Sequence, residues 1–183
     1  VIPKRDYADK RLIDTSDEKF QNSPGLQRWA AVENLKIAAQ AYNEVGSIKE
    51  LEQKIAATAA TGKEAKQTVR KLENRMKDLA EIIKYAEQYK ANKSYNVAYK
   101  KSKNPDAYFR KHESQIILYG GARRMLEQAG ISLKGLNIDK LKAEYQELTA
   151  QKKELTATYK NCDKELKSLN RKLENLNQYL GRT

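Results

Sequence analysis

Two long stretches of this chain, residues 48–93 and 138–180, carry the same seven-residue apolar repeat. In the first, the seam consists of Ile48, Leu51, Ile55, Thr58, Gly62, Ala65, Val69, Leu72, Met76, Leu79, Ile83 and Ala86. In the second, it consists of Leu141, Tyr145, Leu148, Lys152, Leu155, Tyr159, Cys162, Leu166, Leu169, Leu173, Leu176 and Leu180. Such a repeat places one apolar stripe on a helix of about 65 Å, which needs an equally long partner. We therefore predict an elongated antiparallel coiled-coil hairpin of two long helices.

Composition supports an all-α fold. Only 39% of the 183 residues are apolar and 33% are charged, against about 45–50% and about 25% in ordinary globular domains. No stretch alternates apolar and polar residues as a half-buried strand does, so we expect no sheet. Residues 1–22 show no reliable helical stripe and are predicted to be a linker or arm, followed by a helical domain over 23–183.

Two shorter helices are predicted to pack on the hairpin. Ser23-Pro24 can cap a helix that ends before Gly46, and Asn104-Pro105-Asp106 can start another that runs to about Ala129. The first has a broad apolar face, on which we expect Trp29 to be a packing anchor. In the second, Gly120-Gly121 predicts a kink or a close helix crossing.

Local pairings complete the structural predictions. Glu50–Lys54, Glu73–Lys77 and Asp163–Lys167 are spaced for ion pairs within one helix.

We expect the first long helix to end between residues 92 and 102 and the last to start near Ile138, capped by Asn137. Cys162, on the seam, is interpreted as a core residue, and His112 as a packing residue because nothing accompanies it as a metal ligand.

The net charge of +12 is concentrated between Lys84 and Arg124, where ten basic residues face three acidic ones. The candidate nucleic-acid-binding residues are Lys90, Lys93, Lys100, Lys101, Lys103, Arg110, Lys111, Arg123 and Arg124. Basic residues contact phosphates and the interleaved tyrosines could stack bases, although a merely solvated basic surface is equally compatible with this composition. With one histidine and no Gly-rich phosphate loop, we assign no catalytic residue, no metal site and no cofactor, and we expect no membrane span.

Three segments resemble the C-terminal part of relaxases of the mobilization-nuclease family, from conjugative and mobilizable elements of Gram-positive bacteria. They are GLQRWAAVENL (residues 25–35), NPDAYFRKHESQIILYGGARRML (104–126) and LKAEYQELTAQKKELTATYK (141–160). Gly120-Gly121 and Thr156 depart from the family pattern. The resemblance implies that the nuclease domain, with its catalytic tyrosine and metal-binding histidines, lies outside this segment, so this segment is expected not to be an enzyme.

Two functions are compatible with this sequence. The first is a non-catalytic relaxase domain in the cytoplasm that assists DNA binding, to a single strand or to the duplex of the transfer origin. The alternative is a coiled-coil interaction or spacer module that docks accessory or coupling proteins of the transfer machinery, or that dimerises. A monomer would pair the two seams within one chain, and a coiled-coil dimer would pair them between chains.

Overall fold

The computed structural model describes Tyr7 and residues 10–182, and within them it contains six helices and no strand. The helices are α1 (Glu18–Gln21), α2 (Pro24–Val45), α3 (Ile48–Lys101), α4 (Pro105–Lys111), α5 (Glu113–Gln128) and α6 (Ile138–Tyr179). The all-α prediction is confirmed.

The helix starts are capped by side chains as the sequence predicts. Ser23 Oγ accepts a hydrogen bond from the Leu26 amide at 3.4 Å, and Asn104 Oδ1 accepts one from the Ala107 amide at 3.2 Å. Asn137 Oδ1 does the same for Lys140 at 3.1 Å. These bonds satisfy amides that have no partner inside the helix, which is why the helices begin where they do.

The chain divides into two compact units, and α3 and α6 contribute a segment to each. The first unit combines residues 1–67 with 156–183, and the second consists of residues 68–155. The buried core of the first unit is formed by Ala38, Ala41, Leu51, Leu169 and Leu176. The buried core of the second is formed by Ile82, Ala86, Tyr89, Tyr119, Ala122, Leu126 and Ile138.

The two predicted seams are the inner faces of their helices. Every seam residue from Ile48 to Ala86 on α3, and from Leu141 to Leu176 on α6, is buried or half-buried. Cys162 is buried, as expected of a core residue, whereas Leu180 beyond the end of α6 is 51% exposed. The seven-residue register therefore identifies the core side of both helices, while the complete coiled-coil hairpin stays a prediction.

The ion pairs differ from the predicted ones, because the partner comes from the other long helix. Lys54 pairs with Glu165 and Lys66 with Asp163 in the first unit, and Glu73 pairs with Lys152 in the second. The distances are 3.4, 3.2 and 2.8 Å. Helix-internal spacing cannot anticipate this, since an acidic side chain at the edge of a seam reaches across to a neighbouring helix as easily as along its own.

Gly62 marks a close approach of α3 and α6 in the first unit. A Cβ placed on Gly62 would lie 3.0 Å from Cys162 Cβ and 3.9 Å from its Sγ. The glycine is the last residue of a run of small residues, 56–62, where the seam is thinnest. The missing side chain is what lets the two backbones come close at this point.

The expected role of Trp29 as a packing anchor is wrong. Trp29 is 50% exposed, and the buried face of α2 is formed by Ala30, Glu33, Ile37, Ala38 and Ala41. Three of these five are alanines, so α2 packs through small side chains that leave no room for an indole. Leu35 and Tyr42, two further large apolar residues of α2, are 52% and 50% exposed.

The predicted helix from Pro105 to about Ala129 is two helices, and the break is at His112 instead of the glycines. His112 has φ −127° and ψ 28°, and its ring packs against Tyr108 and Tyr95 at centroid distances of 4.5 and 5.2 Å. The packing role of His112 is confirmed. Gly120 and Gly121 lie inside α5, and a Cβ on either would meet no atom within 4 Å, so no close crossing occurs there.

The predicted arm, residues 1–22, lies partly outside the described residues. Its described part is hydrogen-bonded to α6 and α2: Asn175 of α6 donates to the Lys10 carbonyl at 2.8 Å and accepts from the Leu12 amide at 3.3 Å. Asn34 accepts from the Ile13 amide at 2.7 Å and donates to its carbonyl at 3.0 Å. The division into an arm and one helical domain stays a prediction.

Candidate nucleic-acid interface

All nine candidate residues belong to the second unit, and all nine side chains are exposed. This unit contains 19 basic and 11 acidic residues, a surplus of eight positive charges in its 88 residues. Arg123 is partly neutralised, because its Nε lies 2.8 Å from Glu127 Oε1. Arg124 Nε donates to the Gly120 carbonyl at 3.4 Å. The other seven form no ion pair with a residue that the structure describes.

Four of the nine lie in one row on the last three turns of α3. At about 100° per residue, Lys93 and Lys100 point within about 20° of one another, as do Lys90 and Lys101. All four fall inside an arc of about 100°, and the row rises about 16 Å along the helix axis. We call Lys90, Lys93, Lys100 and Lys101 the lysine row.

The lysine row continues the seam of α3. The seam ends as Leu79, Ile83 and Ala86, and the same alternation of four and three residues leads next to Lys90, Lys93, Val97 and Lys100. Ile138, the first residue of α6, is buried in the same cluster as Ala86 and Tyr89. The row thus begins at the level of the first residue of α6. From there α3 continues to Lys101, and the face that carries apolar seam residues up to Ala86 carries lysines instead.

The helix after α3 folds back onto the other side. Phe109 of α4 packs against Tyr99 at a centroid distance of 5.8 Å, and His112 packs against Tyr95 at 5.2 Å. Tyr95 and Tyr99 lie roughly opposite the lysine row on the helical wheel. These contacts leave the row uncovered. They also place α4, with Arg110 and Lys111, on the side of α3 away from the lysine row. Lys103 lies in the turn between α3 and α4.

The tyrosines of this segment are largely engaged with other rings. Tyr89 and Tyr119 stack on each other with centroids 4.9 Å apart, and each is only 9% exposed. Tyr95 and Tyr108 contact His112, and Tyr99 contacts Phe109. The expectation that these rings are available for bases is therefore wrong for the buried pair.

Charges of the interface reach the buried tyrosine pair. Burial raises the pKa of Tyr119, and a hydrogen bond and the charge of Tyr89 act in the same direction. The positive charges of Arg123 and Lys100 oppose this rise without cancelling it, so the pKa of Tyr119 stays above its ordinary value.

The sequence prediction missed that four basic residues of the segment form one row on α3. Composition identified all four lysines, but not that they share one face. Reading the seam register four steps beyond Ala86 would have identified three of them. A second missed feature is an apolar stripe on the outer face of α2, formed by Val32, Leu35, Ala39 and Tyr42.

Other kinds of site find little support in the described residues. No group of three or more His, Cys, Asp or Glu side chains there could hold a metal ion. No described helix combines the length and the apolar character that spanning a bilayer would need. The chain matches no protein-family model, no curated protein and no solved structure.

Proposed function

We propose that this chain is a non-catalytic DNA-contacting domain, which binds the phosphate backbone through the lysine row. The observation that carries the proposal is the change from apolar residues to lysines within one continuous heptad register. The resemblance of three segments to the C-terminal part of relaxases supplies the context: assistance of a relaxase during conjugative DNA mobilization in the cytoplasm. The segment itself is proposed not to be an enzyme.

The chemistry of the row favours a polyanion over another helix. A helix that docked on the end of α3 would need apolar side chains at the seam positions. Three of the four seam positions beyond Ala86 are lysines, and only Val97, 41% exposed, is apolar. The ammonium groups of the row are exposed and none of them forms an ion pair with a described carboxylate, so they are available to release counterions from DNA when they reach its phosphates.

The proposal is tested by anisotropy of a labelled duplex in 50 mM salt. We expect a Lys100→Ala, Lys101→Ala, Lys103→Ala variant to bind at least tenfold more weakly than the wild type. A matched variant removes three exposed lysines of the first unit by Lys63→Ala, Lys160→Ala and Lys164→Ala, and should bind nearly as the wild type does. Equal losses in both variants would mean that binding follows net charge alone, and the proposed interface would be wrong.

The relaxase context has its own test. In a relaxase that carries this segment, the same substitutions at Lys100, Lys101 and Lys103 should lower the frequency of plasmid transfer while nicking of a single-stranded origin oligonucleotide stays unchanged. If the transfer frequency is unchanged, DNA contact by this domain is not needed for mobilization, and the relaxase context would be wrong.

The outer face of α2 supports a second candidate, self-association through a second copy of this chain. Val32, Leu35, Ala39 and Tyr42 are spaced by three, four and three residues, which is the spacing of a coiled-coil seam. Val32, Leu35 and Tyr42 are each about half exposed, at 49, 52 and 50%. Two basic and two acidic residues give α2 a net charge of zero, so two copies of this face would not repel each other despite the net charge of +12.

Sedimentation equilibrium tests this candidate. A dimer that forms with rising concentration and is lost on Leu35→Glu would support it. The control is Leu118→Glu, which adds the same charge at a side chain of α5 that is 44% exposed and should leave the dimer intact. A monomer at every concentration would reject self-association, and capture of a different protein on this face would point to the accessory-protein alternative.

A further inference from the structure

We infer that the lysine row contacts only the phosphate backbone, so that it prefers duplex DNA to single strands and does not distinguish sequences. This inference rests on the proposed DNA contact and specifies its substrate. It follows from two observations: the exposed face carries lysines, and the nearby tyrosines pack against other rings of the protein.

The first step concerns base stacking. Proteins that prefer single strands gain affinity from bases that stack on exposed aromatic rings. In the second unit, five of the six tyrosines between Lys84 and Arg124 contact another ring, and Tyr89 and Tyr119 are buried against each other. Tyr85, the sixth, is half-buried and packs against the core cluster. Intramolecular packing therefore removes Tyr89 and Tyr119 as stacking platforms and takes up part of the surface of the other four rings.

The second step concerns base recognition. Sequence is read by hydrogen bonds from forked or amide side chains, chiefly Arg, Asn and Gln, to base edges. The arc of about 100° that holds the lysine row contains four lysines and Val97 but none of these three residue types. Lysine is a compact point charge on a flexible stem, which suits a phosphate without fixing the geometry of a base contact.

The third step is the magnitude. If each of the four lysines neutralises one phosphate, the slope of log K against log salt is about −3.6 on B-DNA and about −2.8 on a single strand. Affinity for a duplex then falls about 150-fold between 50 and 200 mM salt. If the two affinities are equal at about 1 M salt, the difference between the two slopes favours the duplex about sixfold at 100 mM salt.

The test compares a 20-base-pair duplex, either of its strands, and a second duplex of unrelated sequence, by anisotropy at 50, 100 and 200 mM salt. We expect the duplex to bind about sixfold more tightly than the strands at 100 mM, and the two duplexes to agree within about twofold. Lys100→Gln with Lys101→Gln should halve the slope to about −1.8, whereas the charge-conserving Lys100→Arg with Lys101→Arg should keep it near −3.6.

Three outcomes would overturn the inference in distinguishable ways. A single strand that binds more tightly than the duplex, together with a loss of that binding in Tyr99→Leu of unchanged helicity, would show that rings stack on bases. Two duplexes that differ tenfold or more would show sequence recognition. In both cases the proposed DNA contact would survive. Absence of binding to every oligonucleotide at 50 mM salt would instead refute the DNA contact itself.

Discussion

Replacing Gly62 by alanine tests the close approach of α3 and α6 in the first unit, and Gly120 provides a matched control. Both glycines lie inside helices, where alanine is more stable by about 0.5–1 kcal/mol because the unfolded chain loses less freedom. At Gly120 the new methyl would meet nothing within 4 Å. At Gly62 it would lie 3.0 Å from Cys162 Cβ. The intrinsic gain is the same at both sites, and only the packing differs.

The magnitude follows from the contact. Overpacking a well-packed core costs about 1–3 kcal/mol. Against a gain of about 0.5–1 kcal/mol, Gly62→Ala should range from no change to a loss of about 2.5 kcal/mol. Gly120→Ala should gain the full amount. The overlap at Gly62 involves a Cβ next to backbone, which cannot rotate away as the end of a flexible side chain could.

Urea unfolding, followed by circular dichroism and by the fluorescence of Trp29, measures both effects. Trp29 is the single tryptophan and lies in the first unit, so its signal reports the unit that contains Gly62. The double variant Gly62→Ala with Cys162→Gly relieves the overlap, and its loss should be smaller than the sum of the two single losses. If Gly62→Ala stabilises the protein as much as Gly120→Ala does, the close approach described here is wrong.

Three further predictions concern the core, pH and the N-terminal segment. Leu126→Ala, at a fully buried position in the second unit, should cost about 2–5 kcal/mol in urea unfolding, and a loss below about 1 kcal/mol would contradict its burial. Because the pKa of Tyr119 is raised in the fold, the stability from this group is present below pH 10 and is lost as pH rises through the folded pKa. Tyr119→Phe should flatten that alkaline loss in thermal melts between pH 9 and 11, and identical slopes would contradict the assignment. Asn175→Leu leaves two backbone groups of residues 10–12 without their partners, so trypsin should cleave after Arg11 much faster than in the wild type, and an unchanged rate would mean that Asn175 does not hold the segment.

The seams and three of the helix starts could be predicted because their causes are local. A seven-residue apolar repeat determines which side of a helix is buried, and Ser23, Asn104 and Asn137 cap the same helices in the structure as in the prediction. The packed face of α2 could not be predicted in this way. Both faces of α2 carry apolar residues, and the choice between them depends on the space that α3 and α6 leave, which favoured alanines over Trp29.

The break at His112 was unpredictable for a similar reason. No proline or glycine marks it, and the glycines that do occur lie eight and nine residues further on, in unbroken helix. The chain breaks there while the His112 ring packs between Tyr95 and Tyr108, residues 17 and four positions away. The candidate interface was half predictable: composition located the lysines, but only the structure showed that α4 covers the opposite side of α3 and leaves the lysine row exposed.

The register shared by the seam and the lysine row links the fold to the proposed function. If the apolar residues continued past Ala86 on α3, the chain would expose a hydrophobic stripe of about 16 Å, which would attract other helices. Lysines at the same positions keep the helix well formed, since lysine has a high helix propensity, while they prevent that association. The same substitution concentrates positive charge on one face, where it attracts a polyanion. The proposed DNA contact thus depends on the same feature that makes the end of α3 unsuited to a helical partner. On α2 the exposed seam remains apolar, so the two faces are suited to different partners.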